Sequence, residues 1–288
     1  MIEKLAIIGV GLIGGSTALA LREAGAVKEV VGCGRSESNL AKAVELNILD
    51  HYTHQVAEAV QGADMVLLAV PLGAMRQTLA AMRGHLAPDA VVTDVGSVKG
   101  SVIDDLRAVY GEIPEFFVPG HPIAGTERSG AEAAFASLYR NRRVILTPLP
   151  ETAEAAVTAV ERMWRQCGAG VTRMSVAHHD EILAATSHLP HMLAFSLVDS
   201  LARLKENNEM FTYAAGGFRD FTRIASSNPV MWRDICLANQ QALGQMLTRF
   251  ADELHELARI LEQGDGEGLL EIFERAKRAR DRYIDGVE

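Results

Sequence analysis

The stretch Lys4-Leu5-Ala6-Ile7-Ile8-Gly9-Val10-Gly11-Leu12-Ile13-Gly14 decides how the rest of the chain is read. An apolar strand-like run ends in a glycine-punctuated turn that fits G-x-G-x-x-G, and a helical pattern follows as far as Gly25. In such a unit the first glycine permits the tight turn, the second lets backbone approach a pyrophosphate, and the third lets helix pack on strand. The start of the helix aims unpaired N–H groups at the anion. The motif alone is weak evidence. Here a strand precedes it, a helix follows, and a second strand, Glu29–Cys33, comes about 20 residues later, as the fingerprint requires. Gly9, Gly11, Leu12, Ile13 and Gly14 are therefore candidate dinucleotide contacts.

From there to about residue 175, short apolar runs alternate with amphipathic stretches. The strand candidates are Lys4–Gly9, Glu29–Cys33, Asp64–Val70, Ala90–Val95, Phe116–Val118 and Arg143–Thr147. Several are apolar on both faces, as parallel strands covered by helices on both sides must be. Helical stretches lie between them at Gly15–Ala24, Leu40–Leu46, Gly73–Met82 and Val98–Val109. This alternation predicts an α/β, Rossmann-like doubly wound sheet. After Thr172–Ser175 strand-like runs vanish, and helical patterns cover Ala177–Leu204, Trp232–Gln263 and Leu269–Tyr283. Leu243, Met246, Leu247, Phe250, Leu254, Leu257 and Leu261 recur at three- and four-residue steps and form one apolar stripe. The expectation is a dinucleotide-binding domain at 1–172 followed by an all-α domain at 173–288, closely docked without a flexible spacer.

Composition narrows the function classes. Hydrophobic residues make up 48% of the 288 and charged residues 23%, the balance of a globular protein. A formal net charge of -9 argues against a general nucleic-acid binder, which needs a basic face to release counterions. Cys33, Cys167 and Cys236 lie far apart without C-x-x-C spacing, which fits a reducing compartment and offers no thiolate metal site. No stretch approaches the ~18 apolar residues of a membrane span. The N-terminus, with Glu3 and no small-residue cleavage pattern, does not read as a signal peptide. A cytoplasmic protein is expected.

The strand ends carry the candidate chemistry. The second strand runs into Gly32-Cys33-Gly34-Arg35-Ser36. Where an NAD site usually offers an acid to the ribose hydroxyls, this chain offers a guanidinium and a hydroxyl, which suit a 2′-phosphate. Arg35 and Ser36 thus favour NADP, or dual use of NADP and NAD, over NAD alone. The third strand ends in Ala69-Val70-Pro71, and Val70 and Pro71 are expected to wall the nicotinamide pocket. The fourth ends in Asp94-Val95-Gly96-Ser97-Val98-Lys99. Ligands of open α/β sheets bind outside the carboxyl ends of the strands, so Ser97 and Lys99 are expected to face the crevice. The next strand leads into Pro119-Gly120-His121-Pro122. A histidine set there is a poor core residue and a good acid–base group, because it titrates near the working pH. Ser97 is expected to share its proton network or to hold the imidazole.

The helical half adds Arg219 and Arg223, four apart and on one face if helical. Each reads equally as a carboxylate ligand or as half of a surface salt bridge. His178, His179, His188 and His191 raise the question of a metal, but no H-E-x-x-H occurs and Pro190 interrupts the His188–His191 spacing. No metal is expected.

Taken in order, D-V-G-S-V-K at 94–99, G-H-P-I-A-G-T-E-x-S-G at 120–130, T-S-H-L-P-H at 186–191, G-G-F-R-D-F-T-R-I-A at 216–225 and N-P-x-M-W-R-D-I at 228–235 resemble the prephenate dehydrogenase family of tyrosine biosynthesis, which includes arogenate and cyclohexadienyl dehydrogenases. The resemblance runs from Gly9 to about Ile235. It implies oxidative decarboxylation of prephenate to 4-hydroxyphenylpyruvate, with hydride passing to NAD(P). In that reading His121 takes the ring hydroxyl proton with Ser97 beside it, Arg223 binds a substrate carboxylate and His191 lines the pocket. The resemblance also implies Glu127, Asp220 and Trp232 near the pocket mouth, Gly216 as a point of close backbone approach, and a homodimer through the helical domain.

Arogenate is the alternative substrate. Because the chain starts at the first strand and ends near Tyr283, no fused chorismate mutase or regulatory domain is expected, and feedback by tyrosine would act at the active site. Two more distant readings fit less well. A β-hydroxyacid dehydrogenase would carry its catalytic lysine on the helical domain, yet Ala177–Leu204 contains no lysine. A non-catalytic dinucleotide-binding redox sensor would not need Ser97, His121 and Arg223 together.

Overall fold

Apolar runs buried on both faces make the main sheet. The computed structural model describes residues 1–126, 128–204 and 207–283. Its strands are β1 (Ile2–Ile8), β2 (Val27–Cys33), β3 (His51–Thr53), β4 (Met65–Leu68), β5 (Val91–Asp94) and β6 (Phe117–Val118). They lie in the order β3-β2-β1-β4-β5-β6, and every neighbouring pair is parallel. Parallel neighbours require crossovers, supplied by α1 (Leu12–Glu23), α2 (Glu37–Glu45), α3 (Val56–Val60), α4 (Met75–Met82) and α5 (Lys99–Tyr110). Leu5, Ile7 and Val30 share one core with Trp164 of α6 (Glu154–Gln166), while Ile8, Val31 and Leu68 share the other with Leu79 of α4 and Leu106 of α5. The order reverses between β1 and β4, which opens a crevice at their carboxyl ends. β3, too short to show a pattern, was not foreseen from the sequence.

Arg143–Thr147 does not join this sheet, contrary to the sequence expectation. Its core, β8 (Arg143–Leu146), lies between β7 (Gly120–Ile123), antiparallel to it, and β9 (Gly170–Arg173), parallel to it. The cause is local. Pro119 has no N–H to continue the β6 ladder, and the Gly120 N–H donates sideways to Asp94 Oδ1 at 3.1 Å. The chain turns there and pairs with β8.

The helical stretches are real but more broken than their periodicity predicts. Ala177–Leu204 is α7 (Val176–Leu183), a π-helical turn at Ala184–His188, and α8 (Leu189–Ala202). Pro190 cannot donate to the preceding turn, and the Leu189 N–H reaches back to the Ala184 carbonyl, widening the helix. Then follow α9 (Asn207–Thr212), α10 (Gly216–Thr222) and α11 (Pro229–Ala238), the last capped by Asn228 Oδ1 on the Val230 and Met231 amides. The Trp232–Gln263 pattern breaks at Asn239 before α12 (Gln240–Glu262), and α13 (Gly266–Tyr283) ends the described chain. The chain forms two compact units, Met1–Gln240 and Gln241–Glu288. The second consists of helix, with Leu254, Leu261, Leu270 and Phe273 at least half exposed. Among the described residues no helix is long and apolar enough to cross a membrane.

Candidate active site

The glycine loop divides its three glycines by what surrounds them. Gly9 has φ +99, and a Cβ there would lie 2.3 Å from the Ala69 carbonyl oxygen at the end of β4. A Cβ on Gly14 would lie 2.6 Å from the Gly9 carbonyl oxygen. Gly11 faces open space, with nothing within 4 Å of its would-be Cβ. It is also the N-cap of α1 and provides no side-chain cap. The amides of the first turn, Leu12 and Ile13 among them, are left for an anion, while the two packed glycines hold the cradle in shape. These residues fit a dinucleotide pyrophosphate. Val70 is half-buried and Pro71 exposed, both just beyond the Ala69 contact.

At the tip of β2 the Arg35 guanidinium is exposed and makes no ion pair among the described residues. Ser36 caps α2, its Oγ accepting from the Asn39 amide at 3.3 Å. An acid does stand nearby. Glu37 accepts from the Tyr52 hydroxyl at 2.5 Å and bonds His54 Nε2 at 2.8 Å, while His54 Nδ1 bonds the Gly34 carbonyl at 2.7 Å. These bonds, that from Tyr52 first, pull the Glu37 carboxyl below its ordinary range.

His121 sits on β7, half-buried. The turn before it is locked by a fully buried ion pair, Lys99 Nζ to Asp94 Oδ2 at 2.5 Å. Asp94 also accepts the Gly96 and Gly120 amides, and Lys99 donates to the Gly120 carbonyl at 2.6 Å. Lys99 therefore does not open on the crevice as the sequence implied; it pins the residue before His121. Burial pushes its ammonium down against the pull of Asp94. Ser97 is half-buried and makes no hydrogen bond among the described residues. The partner of the imidazole is instead His179 on α7, whose Nε2 lies 2.9 Å from His121 Nδ1. His179 Nδ1 lies 2.7 Å from Asp180 Oδ1. Burial, then the Lys99, His179 and His188 charges, hold His121 well below 6.5. At neutral pH it is an unprotonated base.

Beyond the π-turn, His191 stacks on Trp232 at 3.6 Å between ring centroids, and His188 meets the same indole edge-on at 6.1 Å. Trp232 is buried. Burial pushes His188 down to about 4 and lowers His191 as well. The Asn239 side-chain amide donates to the Asp180 carbonyl at 2.8 Å and to His188 Nδ1 at 3.1 Å, at the junction of α11 and α12. The remaining donors, His188 Nε2 and Trp232 Nε1, are buried without a partner among the described residues. Gly216, at the start of α10, faces open space. Asp220 and Arg223 are exposed, and Arg223 begins a 3₁₀ turn that continues α10. Glu127 lies outside the described residues. Among the described residues no three His, Cys, Asp or Glu side chains gather as a metal site would require.

This geometry has known relatives. The prephenate dehydrogenase nucleotide-binding domain matches residues 17–173, and the prephenate dehydrogenase dimerization domain matches 175–275. The chain belongs to the prephenate dehydrogenase family. It is a nicotinamide-dependent oxidoreductase. It is 40% identical to the cyclohexadienyl dehydrogenase of Zymomonas mobilis, over 96% of this chain and 95% of that one. With the prephenate dehydrogenase of Bacillus subtilis it shares 35% identity over 98% of this chain and 76% of the other. The crystal structure of Aquifex aeolicus prephenate dehydrogenase with hydroxyphenyl propionate and NAD+ superposes with a TM-score of 0.91, at 37% identity, covering 97% and 98% of the two chains. Synechocystis arogenate dehydrogenase gives 0.82 at 29% identity, covering 98% and 100%.

In this family member, sequence reasoning singles out His121 as a candidate but misses what holds it. His179 and Asp180 lie 58 and 59 residues further on, and they read only as one part of a histidine-rich segment. The usable signal was Asp180 itself. A carboxylate one residue after a histidine, near the start of a helix capped by Ser175, is placed to orient that ring.

Proposed function

We propose that the chain catalyses the NAD(P)-dependent oxidative decarboxylation of prephenate to 4-hydroxyphenylpyruvate in tyrosine biosynthesis. The observation that carries this reading is a half-buried His121 on the strand that follows the parallel sheet, its Nδ1 held 2.9 Å from His179 Nε2. The nicotinamide, when bound, accepts hydride from the ring carbon that bears the hydroxyl. His121 takes the hydroxyl proton as that carbon becomes carbonyl-like, with Ser97 nearby. Loss of the ring carboxylate as carbon dioxide sends its electron pair into the ring, and the phenol that forms makes the step downhill. His121 returns the proton to the phenolic oxygen. Arg223 binds a substrate carboxylate. The stacked His191–Trp232 pair and the donors His188 Nε2 and Trp232 Nε1, without partners among the described residues, provide a polar-edged aromatic wall, and the family resemblance assigns Gly216, Asp220 and Glu127 to the same pocket.

The dinucleotide rests on Gly9, Gly11, Leu12, Ile13 and Gly14, with Val70 and Pro71 against the nicotinamide. NADP is favoured over NAD. Arg35 is free for a 2′-phosphate beside Ser36, and the neighbouring acid Glu37 is already engaged by Tyr52 and His54. Arogenate is the second reading, favoured by the likeness to the Synechocystis arogenate dehydrogenase. Residues 1–172 serve as the dinucleotide-binding domain and 173–288 as the substrate and dimer domain, close to the division between the two family matches. The exposed apolar residues of the second unit supply the homodimer face, and the site of action is the cytoplasm.

One assay tests the proposal: purified protein with prephenate or arogenate, each with NAD and NADP, followed by absorbance of the reduced cofactor. Turnover of prephenate, faster with NADP, is expected. Inactivity with both substrates would discard the reading, and equal use of both cofactors would discard the role given to Arg35.

A further inference from the structure

A base must present a bare nitrogen, and an imidazole has two. We propose that His179 and Asp180 are positioning residues that fix the tautomer of His121, keeping its proton on Nδ1 and leaving Nε2 bare to receive the substrate's hydroxyl proton. The inference rests on the proposed role of His121 as that base.

The order of protons follows from the far end of the chain of bonds. Asp180 sits on α7, yet its carboxylate caps α5: Oδ1 accepts the Lys99 amide and Oδ2 the Gly100 amide, each at 2.8 Å. Val98, the N-cap of α5, offers no side-chain cap of its own. An anion at a helix N-terminus is favoured by the aligned peptide dipoles. Burial pushes the Asp180 carboxyl up, but the bonds from His179 and the two amides outweigh it and the net displacement is downward. Asp180 is therefore ionised and can only accept. The proton between it and His179 belongs to His179 Nδ1.

In the proposed arrangement His179 carries a single N–H, the one directed at Asp180, so its Nε2 presents a lone pair to His121. His179 is fully buried, so no water competes for it. The 2.9 Å bond to His121 Nδ1 then requires that Nδ1 donate. Nε2 of His121 is left without a proton. The buried Lys99 ammonium close by opposes a positive charge on the His121 ring in the resting state. When His121 accepts the substrate proton, its charge is stabilised through His179 by the Asp180 carboxylate. This is the logic by which a buried carboxylate orients a catalytic histidine in a hydrolytic triad, with a second imidazole interposed.

Asp180 also caps a helix, so replacing it confuses two roles. The test is made at His179. In His179→Gln the amide oxygen stands where the Nε2 lone pair was and still accepts from His121; in His179→Leu nothing accepts. With prephenate, His179→Leu is expected to lower kcat by about 100-fold or more while KM and the melting temperature change little, and His179→Gln to recover to within about tenfold of wild type. A ¹H–¹⁵N spectrum of histidine-labelled wild-type enzyme, which needs no substrate, is expected to show His121 protonated on Nδ1. Protonation on Nε2, near-normal kcat in His179→Leu, or equal losses in both variants would overturn the proposal. Absence of turnover with a spectrum showing Nδ1 protonation would instead fault the assigned reaction and leave the tautomer assignment standing.

Discussion

The cradle at Gly9–Gly14 and the cluster around His121 solve opposite problems. The cradle works by the absence of atoms: its glycines clear space, and its ligand-binding groups are backbone amides within six consecutive residues. The cluster works by the presence of atoms, gathered from residues as far apart as Asp94 and Asn239 and held by hydrogen bonds through a buried interior. Adding a methyl group should therefore damage the first, and removing a functional group the second.

The largest effect is expected at the cluster. His121→Asn should lower kcat by about 100- to 10,000-fold, the usual worth of a general base, with a modest change in KM. Steady-state kinetics with prephenate check it, and near-normal kcat would remove His121 from the reaction.

Acid should also separate the two regions. His121, His188 and His191 all have lowered pKa values in the folded protein. Between 6.5 and the folded values, the unfolded chain binds protons that the folded chain refuses. Stability is thus fully present above 6.5 and is lost as pH falls. For His188, lowered to about 4, the loss is about 3 kcal/mol at the acid end, at 1.36 kcal/mol per unit. Denaturant unfolding at pH 7 and pH 4.5 should show a decline that His188→Asn reduces; an unchanged slope in that variant would contradict the account.

The glycines sharpen the contrast. Gly9→Ala should destabilise the fold by about 1–3 kcal/mol from its left-handed backbone alone, before the collision with Ala69 is counted. Gly11→Ala should leave the melting temperature near wild type and weaken dinucleotide binding by about tenfold. Equal destabilisation by the two would mean that Gly11 is structural. An effect of similar size is expected for Arg223→Ala, which should raise KM by about tenfold and lower kcat less, because it serves binding more than the chemical step. Matching kcat and KM effects in Arg223→Ala and His121→Asn would erase the division of labour between them.

The legibility of the chain follows the same divide. β1, the Gly9–Gly14 turn and α1 could be read directly, because an apolar run, a turn and a helix start are each set by residues a few positions apart. The second sheet could not, because the fate of Arg143–Thr147 depended on Pro119 and Asp94 diverting the chain at Gly120. Lys99 was taken for a crevice residue because its place after a strand is right, yet its ammonium is consumed by Asp94 and Gly120. Pro190 was read correctly as a disturbance, but the π-turn that absorbs it has no pattern of its own.

The amino-acid order alone determined the dinucleotide cradle, the alternating sheet and helices, and the family motifs, and it singled out His121 as the candidate acid–base group. Each of these is written in contiguous residues whose backbone preferences act over a turn or a strand. Tertiary structure alone decided that His179, not Ser97, holds His121, that Asp180 caps a distant helix, and that Trp232 is buried against His191. Side-chain hydrogen bonds to a ring 58 residues away or to a backbone amide 81 residues away leave no periodic trace, since many residues in the chain could make the same bond and only packing brings one of them within 3 Å.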